Sequence, residues 1–580
     1  MLGHFVFLSL ASSPSLPGKI TIMNLLRIVF LTLLSLPFFN KAYGADSASA
    51  ECQKFEWTLD DMAEFKKSQF PADFYRPYAG KKIRAVRVET GRVFDANNPK
   101  ENNWLYRHLD ALHANTKPRV IEHQLLFRTG DLLDEDKILE SARILRTRGY
   151  LASAYIMPEA VCGDEIDLVV FTRDTWSTEP DTSLSRDGGE NKSGFGISES
   201  NLFGQGNELA VGYEKIGDRT AVNYEFTSPH IFNSRYYTHI AYADKSDGKD
   251  EILDFSKPFY SLQTLYGYGF SGKSITEAEI IRYGGLERSR FIHSEEDYEI
   301  FAGKALLITP SSTTRLLGGY AHEEDEYRAI ATTRTPLPTA EANRYPWIGV
   351  RRIENQFGAF KNLQQIQRVE DVALGSDFYL RLGYAAEAFN NERDATLLQA
   401  SYSDVLTNGD NHLLQWKSVL EAKDYAGEAE RFSLSQHLTY NHFISDHSRW
   451  YAEGKIDFGE RLLPHDEFTL GGISGLRGYP IDFQRGQRRF LLVTEYRYFS
   501  DVHLFNLLRL GGVVFAETGK VWDSQMQQGQ ETLSDVGFGL RISSSKARIG
   551  SVVHIDLAMP TAARSGIDSY QWVVTTQQAF

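Results

Sequence analysis

The stretch Val536–Ile542, VGFGLRI, alternates without a break. Val536, Phe538, Leu540 and Ile542 fall on one face, and Gly537, Gly539 and Arg541 fall on the other. The neighbouring runs keep the same rule. In VVHIDLAM, Val553, Ile555, Leu557 and Met559 oppose His554 and Asp556; in FLLVTEYRY, Phe490, Leu492, Tyr496 and Tyr498 oppose Glu495 and Arg497. A soluble sandwich also alternates. Here, however, one face is apolar with Tyr and Trp near the strand ends, while the other carries charges and glycine. That division is expected of a barrel with lipid outside and a polar lumen inside. A closed barrel is the only β arrangement that leaves no unpaired edge to lipid.

Working outward, short alternating runs separated by Gly, Asp, Asn and Ser turns extend back to about Trp176. NELAVGYEKIGDRTAVNYEF is typical: Leu209, Val211 and Tyr213 share a face, and Val222, Tyr224 and Phe226 share a face of the return. The C-terminus, YQWVVTTQQAF, keeps Tyr570, Trp572, Val574 and Phe580 on one face to the last residue. The chain has 580 residues, 42% hydrophobic and 13% aromatic, which suits a folded protein. Its formal charge of −14 argues against a nucleic-acid partner, because phosphate binding needs a basic face.

The N-terminal segment reads as an address. From Met23, Arg27 precedes an apolar core from Ile28 to Phe39, and Ala42 and Gly44 follow. Residues 1–44 are expected to be a secretory signal peptide, with Met23 as an alternative start. No apolar run of eighteen residues follows Phe39, so no transmembrane helix is expected. The two cysteines, Cys52 and Cys162, can pair in an oxidising compartment, but their spacing leaves that open. No second Cys or His lies at ligand spacing, so neither is expected to hold a metal.

Between residues 81 and 176 the pattern differs. IRAVRV reads as a strand, and NWLYRHLDALHANT places Leu105, Leu109 and Leu112 on one helical face. DEDKILESARILRTRGY reads as a helix capped by Asp134, with the stripe Ile138, Ala142 and Leu145 and a stop at Gly149. LASAYIM and EIDLVVFT follow as strands around a CGDE turn. The order β-α-α-β-β describes a small α+β module. Residues 45–80 read as a linker and short helix.

One loop stands out. GGISGLRGYP, Gly471–Pro480, carries a single charge, Arg477, among four glycines. In LRLGGVVFAETGKVW, Leu508, Leu510, Val514 and Ala516 take one face, whereas Arg509, Phe515, Glu517 and Gly519 face the lumen. A loop folding inward brings Arg477 toward Glu517 and Glu495, and a planar guanidinium suits such carboxylates.

The combination of GLRGY, FAETG, a terminal aromatic and a preceding β-α-α-β-β module resembles the BamA/TamA superfamily of outer-membrane insertases and translocators. Leu476, Arg477, Gly478 and Tyr479 match the loop-tip element of that family. Phe515, Glu517 and Gly519 match its acidic partner element, with Glu in place of the usual Asp. The resemblance implies a periplasmic POTRA domain at 81–176 and an outer-membrane barrel at 177–580, with a lumen-entering loop at 464–485. It also implies a C-terminal assembly signal in Phe580, Trp572 and Tyr570. It gives an all-β antiparallel transmembrane barrel of about 16 strands, whereas the alternating runs number nearer twenty; five of them follow the loop. The family's general insertases carry several POTRA domains, and only one is evident here.

The resemblance further implies insertion or translocation of client polypeptides. The fifteen histidines are scattered and no Ser-His-Asp set is evident, so no catalysis and no cofactor or metal is expected. The implied partners are outer-membrane lipid, nascent barrels or secreted chains, and a periplasmic protein. Clients are expected at the barrel seam and at a module sheet edge, for which EIDLVVFT is the candidate. The competing expectation is a passive outer-membrane channel with a plugging loop.

Overall fold

A computed structural model describes residues 52–57, 74–94, 104–409, 411–425, 431–523, 530–546, 551–562 and 567–578. The signal segment, most of the 45–80 linker and Phe580 lie outside the described residues, as do the side chains of Leu105, Leu109 and Leu112.

The module opens with β1 (Gln53–Lys54) and β2 (Lys82–Gly91). Three helices follow, α1 (Trp104–Leu112), α2 (Pro118–Glu122) and α3 (Glu135–Arg146), and then β3 (Leu151–Cys162) and β4 (Glu165–Asp174). Asp134 starts α3 by accepting the backbone N–H groups of Asp136 and Lys137, which satisfies donors that the first helical turn leaves open. The apolar stripe of α3, Ile138, Ala142 and Leu145, is buried against Ile83, Ile156, Ile166 and Leu168. The sheet order is β1-β3-β4-β2, with β2 parallel to β4 and the other pairs antiparallel.

Three features depart from the expectation, the first being the additional helix α2 between the two that the sequence pattern gives. A fourth strand enters from Gln53–Lys54, ahead of residue 81, and a Cys52–Cys162 disulfide fastens it to the end of β3. EIDLVVFT is β4, which lies between β3 and β2 and therefore has no free edge. The outer edges belong to β2 beyond Ile83, whose N–H and carbonyl already bond Asp131 and Gly130, and to β3 beyond its two-residue cover. The crossover that lays β2 alongside β4 in parallel encloses the strand the sequence pattern favoured.

The remaining strands, from Thr178–Asp187 to Gln571–Gln578, close into an antiparallel barrel. It has twenty strands, fifteen before the Arg477 loop and five after it. The family-derived figure of 16 is corrected: the chain carries four more strands than the resemblance implies, and the alternating runs count them properly. The longest strands are Tyr266–Tyr283, Leu286–Ile308 and Ser312–Ala329. Outward side chains are apolar and exposed, as at Val514, Phe538, Ile348 and Phe195, while Glu495, Glu517, Arg541 and Asp556 are buried inside. No helix among the described residues is long and apolar enough to cross a membrane.

Among the described residues, two intervals between barrel strands form strand pairs of their own outside the wall. A ribbon of Phe468–Leu470 with Gln484–Gly486 carries the Arg477 loop. At the module end, Phe357–Lys361 pairs with Val369–Ala373 as a separate hairpin. The Glu370 carboxylate closes its tip by accepting the N–H groups of Leu363, Gln364 and Gln365. The hairpin also meets the module, since Arg146 Nε donates to Asp371 at 2.7 Å and the Arg143 guanidinium lies over the Phe357 ring.

The module is joined to the barrel rim through a buried polar cluster. His113 Nε2 is 2.9 Å from Asp174 Oδ2, and Nδ1 is 3.1 Å from Ser177 Oγ. Thr116 also donates to Asp174 through its N–H and its hydroxyl, and Asn201 Nδ2 donates to Thr116 Oγ1. The connectivity is that of a hydrolase triad, yet Ser177 is 1% exposed and offers a substrate no approach. The cluster fastens Asp174, the last residue of β4, to the start of the barrel.

Candidate functional site: the loop inside the barrel

The loop enters by sharp turns. Gly471 has φ 117° and Gly475 φ 107°, conformations that a side chain rarely adopts. A Cβ at Gly471 would stand 2.0 Å from the Pro480 carbonyl, and one at Gly475 would meet the Leu491 side chain at 2.4 Å. Leu476 is fully buried and packs with Leu470, Tyr479, Leu491, Val521 and Leu533. This apolar seat fixes the loop tip, and Arg477 extends from it into the lumen.

Arg477 uses every arm of its fork. Nε donates to Glu517 Oε1 at 2.7 Å, Nη2 to Glu495 Oε1 at 2.6 Å and Nη1 to Asp556 Oδ2 at 2.8 Å. Its backbone N–H donates to the other Glu517 oxygen at 2.7 Å. The guanidinium carbon stands 3.6 Å from the centre of the Phe515 ring, so the ring face adds a cation–π contact. The cost of burying the guanidinium is offset by its pairing with Glu517, Glu495 and Asp556.

The network continues along the wall. Arg497 donates to Glu495 Oε2 at 2.5 Å, and Arg541 donates to both oxygens of Asp556. Gly478 N–H donates to Asp535 Oδ2 at 2.8 Å, and the Tyr479 hydroxyl donates to Ser534 O. A Cβ at Gly519 would stand 2.8 Å from the Phe490 carbonyl, so that position admits no side chain without a shift. The structure thus brings Leu476, Arg477, Gly478, Tyr479, Glu495, Phe515, Glu517 and Gly519 into one site. Sequence reasoning missed Asp556, Asp535, Arg497 and Arg541 as members. Three of these four were legible as inward positions of alternating strands, but alternation gives no distance between strands. Trp572 and Tyr570 are elsewhere, exposed at and just before the last strand.

Beyond Arg477 the loop reaches the other side of the barrel junction. Ile481 N–H donates to Gly188 O at 2.9 Å, in the hairpin between the first two strands. Among the described residues, the first and last strands pair only through Val574 and Arg186. The last strand pairs with its other neighbour through eight residues, from Ser551 with Gln578 to Ala558 with Gln571. A cavity of about 700 Å3 lies beside the loop, lined by Glu190, Lys215, Arg282, Pro480, Asp568 and Gln571 among others. Among the described residues, no group of three or more His, Cys, Asp or Glu is arranged to hold a metal ion.

No family model matches the sequence. No curated protein matches it either. Among solved structures, the chain is similar to CdiB from Acinetobacter baumannii, at 12% identity and TM-score 0.43, covering 96% of each chain. It is similar to CdiB from Escherichia coli at 12% identity and TM-score 0.44, over 90% of this chain and 85% of that one. BamA from Haemophilus ducreyi lacking POTRA domains 1–3 gives 11% identity and TM-score 0.35, over 86% and 84%. Likenesses this distant carry no argument about activity.

Proposed function

We propose that this chain is an outer-membrane β-barrel of the BamA/TamA type that inserts or translocates polypeptides without catalysing a covalent step. Its α+β module acts as a periplasmic POTRA domain. The observation that carries this reading is the Arg477 loop: ion pairs bind it to strands near the C-terminus, and a backbone bond ties it to the first hairpin, across the sparsely paired junction of first and last strands. A client strand adds at that junction by β-augmentation, and the outer edge of β2 receives extended segments in the same way. Membrane placement is supported by the apolar outward face and by closure, which leaves no edge to lipid.

Fractionation with outer membranes and heat-modifiable gel migration test the placement; recovery as a soluble periplasmic protein refutes it. The activity is tested by reconstituting the chain in liposomes and following assembly of a test barrel beside ion conductance. Assembly above that of empty liposomes is expected. Conductance without assembly selects the second reading, a channel plugged by its loop, which the cavity beside the loop favours.

A further inference from the structure

Three turns at the module end of the barrel repeat one pattern. Leu202-Phe203-Gly204, Ile231-Phe232-Asn233 and Leu504-Phe505-Asn506 follow the second, fourth and sixteenth barrel strands. In each, the phenylalanine backbone is left-handed, with φ of 54°, 57° and 53°. Each turn closes by an N–H to the carbonyl three residues back: Gln205 to Leu202, Ser234 to Ile231 and Leu507 to Leu504, at 3.1, 3.1 and 2.9 Å.

Left-handed turn positions favour Gly, Asn or Asp, because a Cβ there crowds the following carbonyl. A bulky ring is among the least suited. The opposite end of the barrel shows the ordinary choice: beside Phe389 it is Asn390 that takes φ 65°. Nor do the rings gain burial within the chain. Phe203, Phe232 and Phe505 are 72%, 68% and 81% exposed. The module holds two of the turns by backbone instead, through Lys117 N–H to Gly204 O and the Tyr106 hydroxyl to Phe505 O. The rings therefore cost backbone strain and return nothing to the fold.

Two observations say what they meet. The turns at Phe203 and Phe505 run on from the outward apolar face, with Leu209 and Leu508 exposed at the start of the following strands. All three turns also flank the junction, after the second and fourth strands on one side and with four strands still to come on the other. We propose that Phe203, Phe232 and Phe505 insert into the glycerol–acyl boundary of the membrane leaflet on the module side, anchoring the barrel on both flanks of its weakest junction. This rests on the membrane placement proposed above.

Because Cys52 and Cys162 are paired, single added cysteines can be labelled. Phe203→Cys, Phe232→Cys and Phe505→Cys are made in the full chain, nitroxide-labelled and reconstituted in phosphatidylethanolamine–phosphatidylglycerol vesicles. Collision with oxygen is compared with collision with a water-soluble nickel chelate. Val514→Cys, outward in mid-strand, is the lipid reference, and Asp218→Cys, in an exposed turn, the water reference. Unchanged heat-modifiable migration shows that each variant is closed. The expected result is an oxygen-to-nickel ratio at the three turns several-fold above that of Asp218→Cys and below that of Val514→Cys, as a boundary depth requires. A water-like ratio overturns the proposal, and so does a label shielded from both reagents, which marks a protein partner. If Val514→Cys itself reads as water, the membrane placement falls and the anchor with it.

Discussion

Replacing Arg477 with alanine tests the centre of the site, and the structure sets the size of the effect. The variant removes charge-assisted bonds from Glu517, Glu495 and Asp556, whose side chains are 3%, 6% and 2% exposed. They are not left equally bare. Glu495 keeps Arg497, and Asp556 keeps Arg541, each at 2.5 Å. Glu517 keeps the bond from the backbone N–H of residue 477 and loses its guanidinium. Breaking a buried ion pair costs roughly 3–5 kcal/mol. With one carboxylate orphaned and two still paired, about 3 kcal/mol is expected, enough to raise the detached population of the loop roughly a hundredfold. Limited proteolysis of the folded barrel in detergent reads this directly, as faster cleavage between residues 461 and 487 while the barrel still migrates as closed. Arg477→Lys keeps the charge without the fork and recovers only part of the protection. The exchange Arg477→Glu with Glu517→Arg does not rescue, because a carboxylate at 477 then faces Glu495 and Asp556. Cleavage of Arg477→Ala at the wild-type rate, or full rescue by the exchange, refutes the three-carboxylate account.

Three further outcomes are expected. His230 is 4% exposed, with Nε2 donating to Gln205 O, and burial lowers its pKa below the ordinary 6.5. Its neutral form belongs to the folded state, so the stability it lends is present above about pH 6.5 and is lost as pH falls; hydrogen exchange at 200–207 and 229–236 should quicken on acidification, and His230→Gln should flatten the dependence. Cys52→Ser with Cys162→Ser opens a link between residues 110 apart, worth roughly 4–5 kcal/mol for a loop of that size; exchange should rise in β3 and β4, while unchanged exchange refutes the estimate. Deleting residues 52–176 leaves the barrel ladder complete, so heat-modifiable migration should persist, while the turn at 200–207, deprived of the Asn201–Thr116 bond, should become protease-sensitive.

The fold was legible wherever one residue's neighbours decide its face. Val514, Phe538 and Leu492 lie outside and Glu517, Arg541 and Asp556 inside, as alternation alone assigns them. Partnership between distant strands was less legible. Arg477 and Asp556 are 79 residues apart and meet because of strand stagger, which no short run encodes. Strand order was hidden for the same reason: EIDLVVFT has the composition of an edge or an interior strand, and the parallel crossover of β2 made it interior. FGAFK and VEDVA look like barrel runs, yet they pair with each other outside the wall. β1, with two residues, is too short to show a period at all.

The position of the loop follows from an imbalance in the ladder. A backbone hydrogen bond contributes about 1 kcal/mol net, and most neighbouring strands are joined by eight or more paired residues. Among the described residues, the closing junction shows one such pair. At the module end Trp176 N–H also crosses it to Lys546 O, and at the other end the loop spans it, held to Glu517, Glu495 and Asp556 on one wall and to Gly188 on the other. The bond at Gly188 exists only while Leu476 and Arg477 keep the tip in its seat, since Ile481 follows four residues later. Arg477 therefore bears on the junction without touching either strand of it: releasing the guanidinium frees the tip, and the freed tip no longer braces the first hairpin against the C-terminal wall.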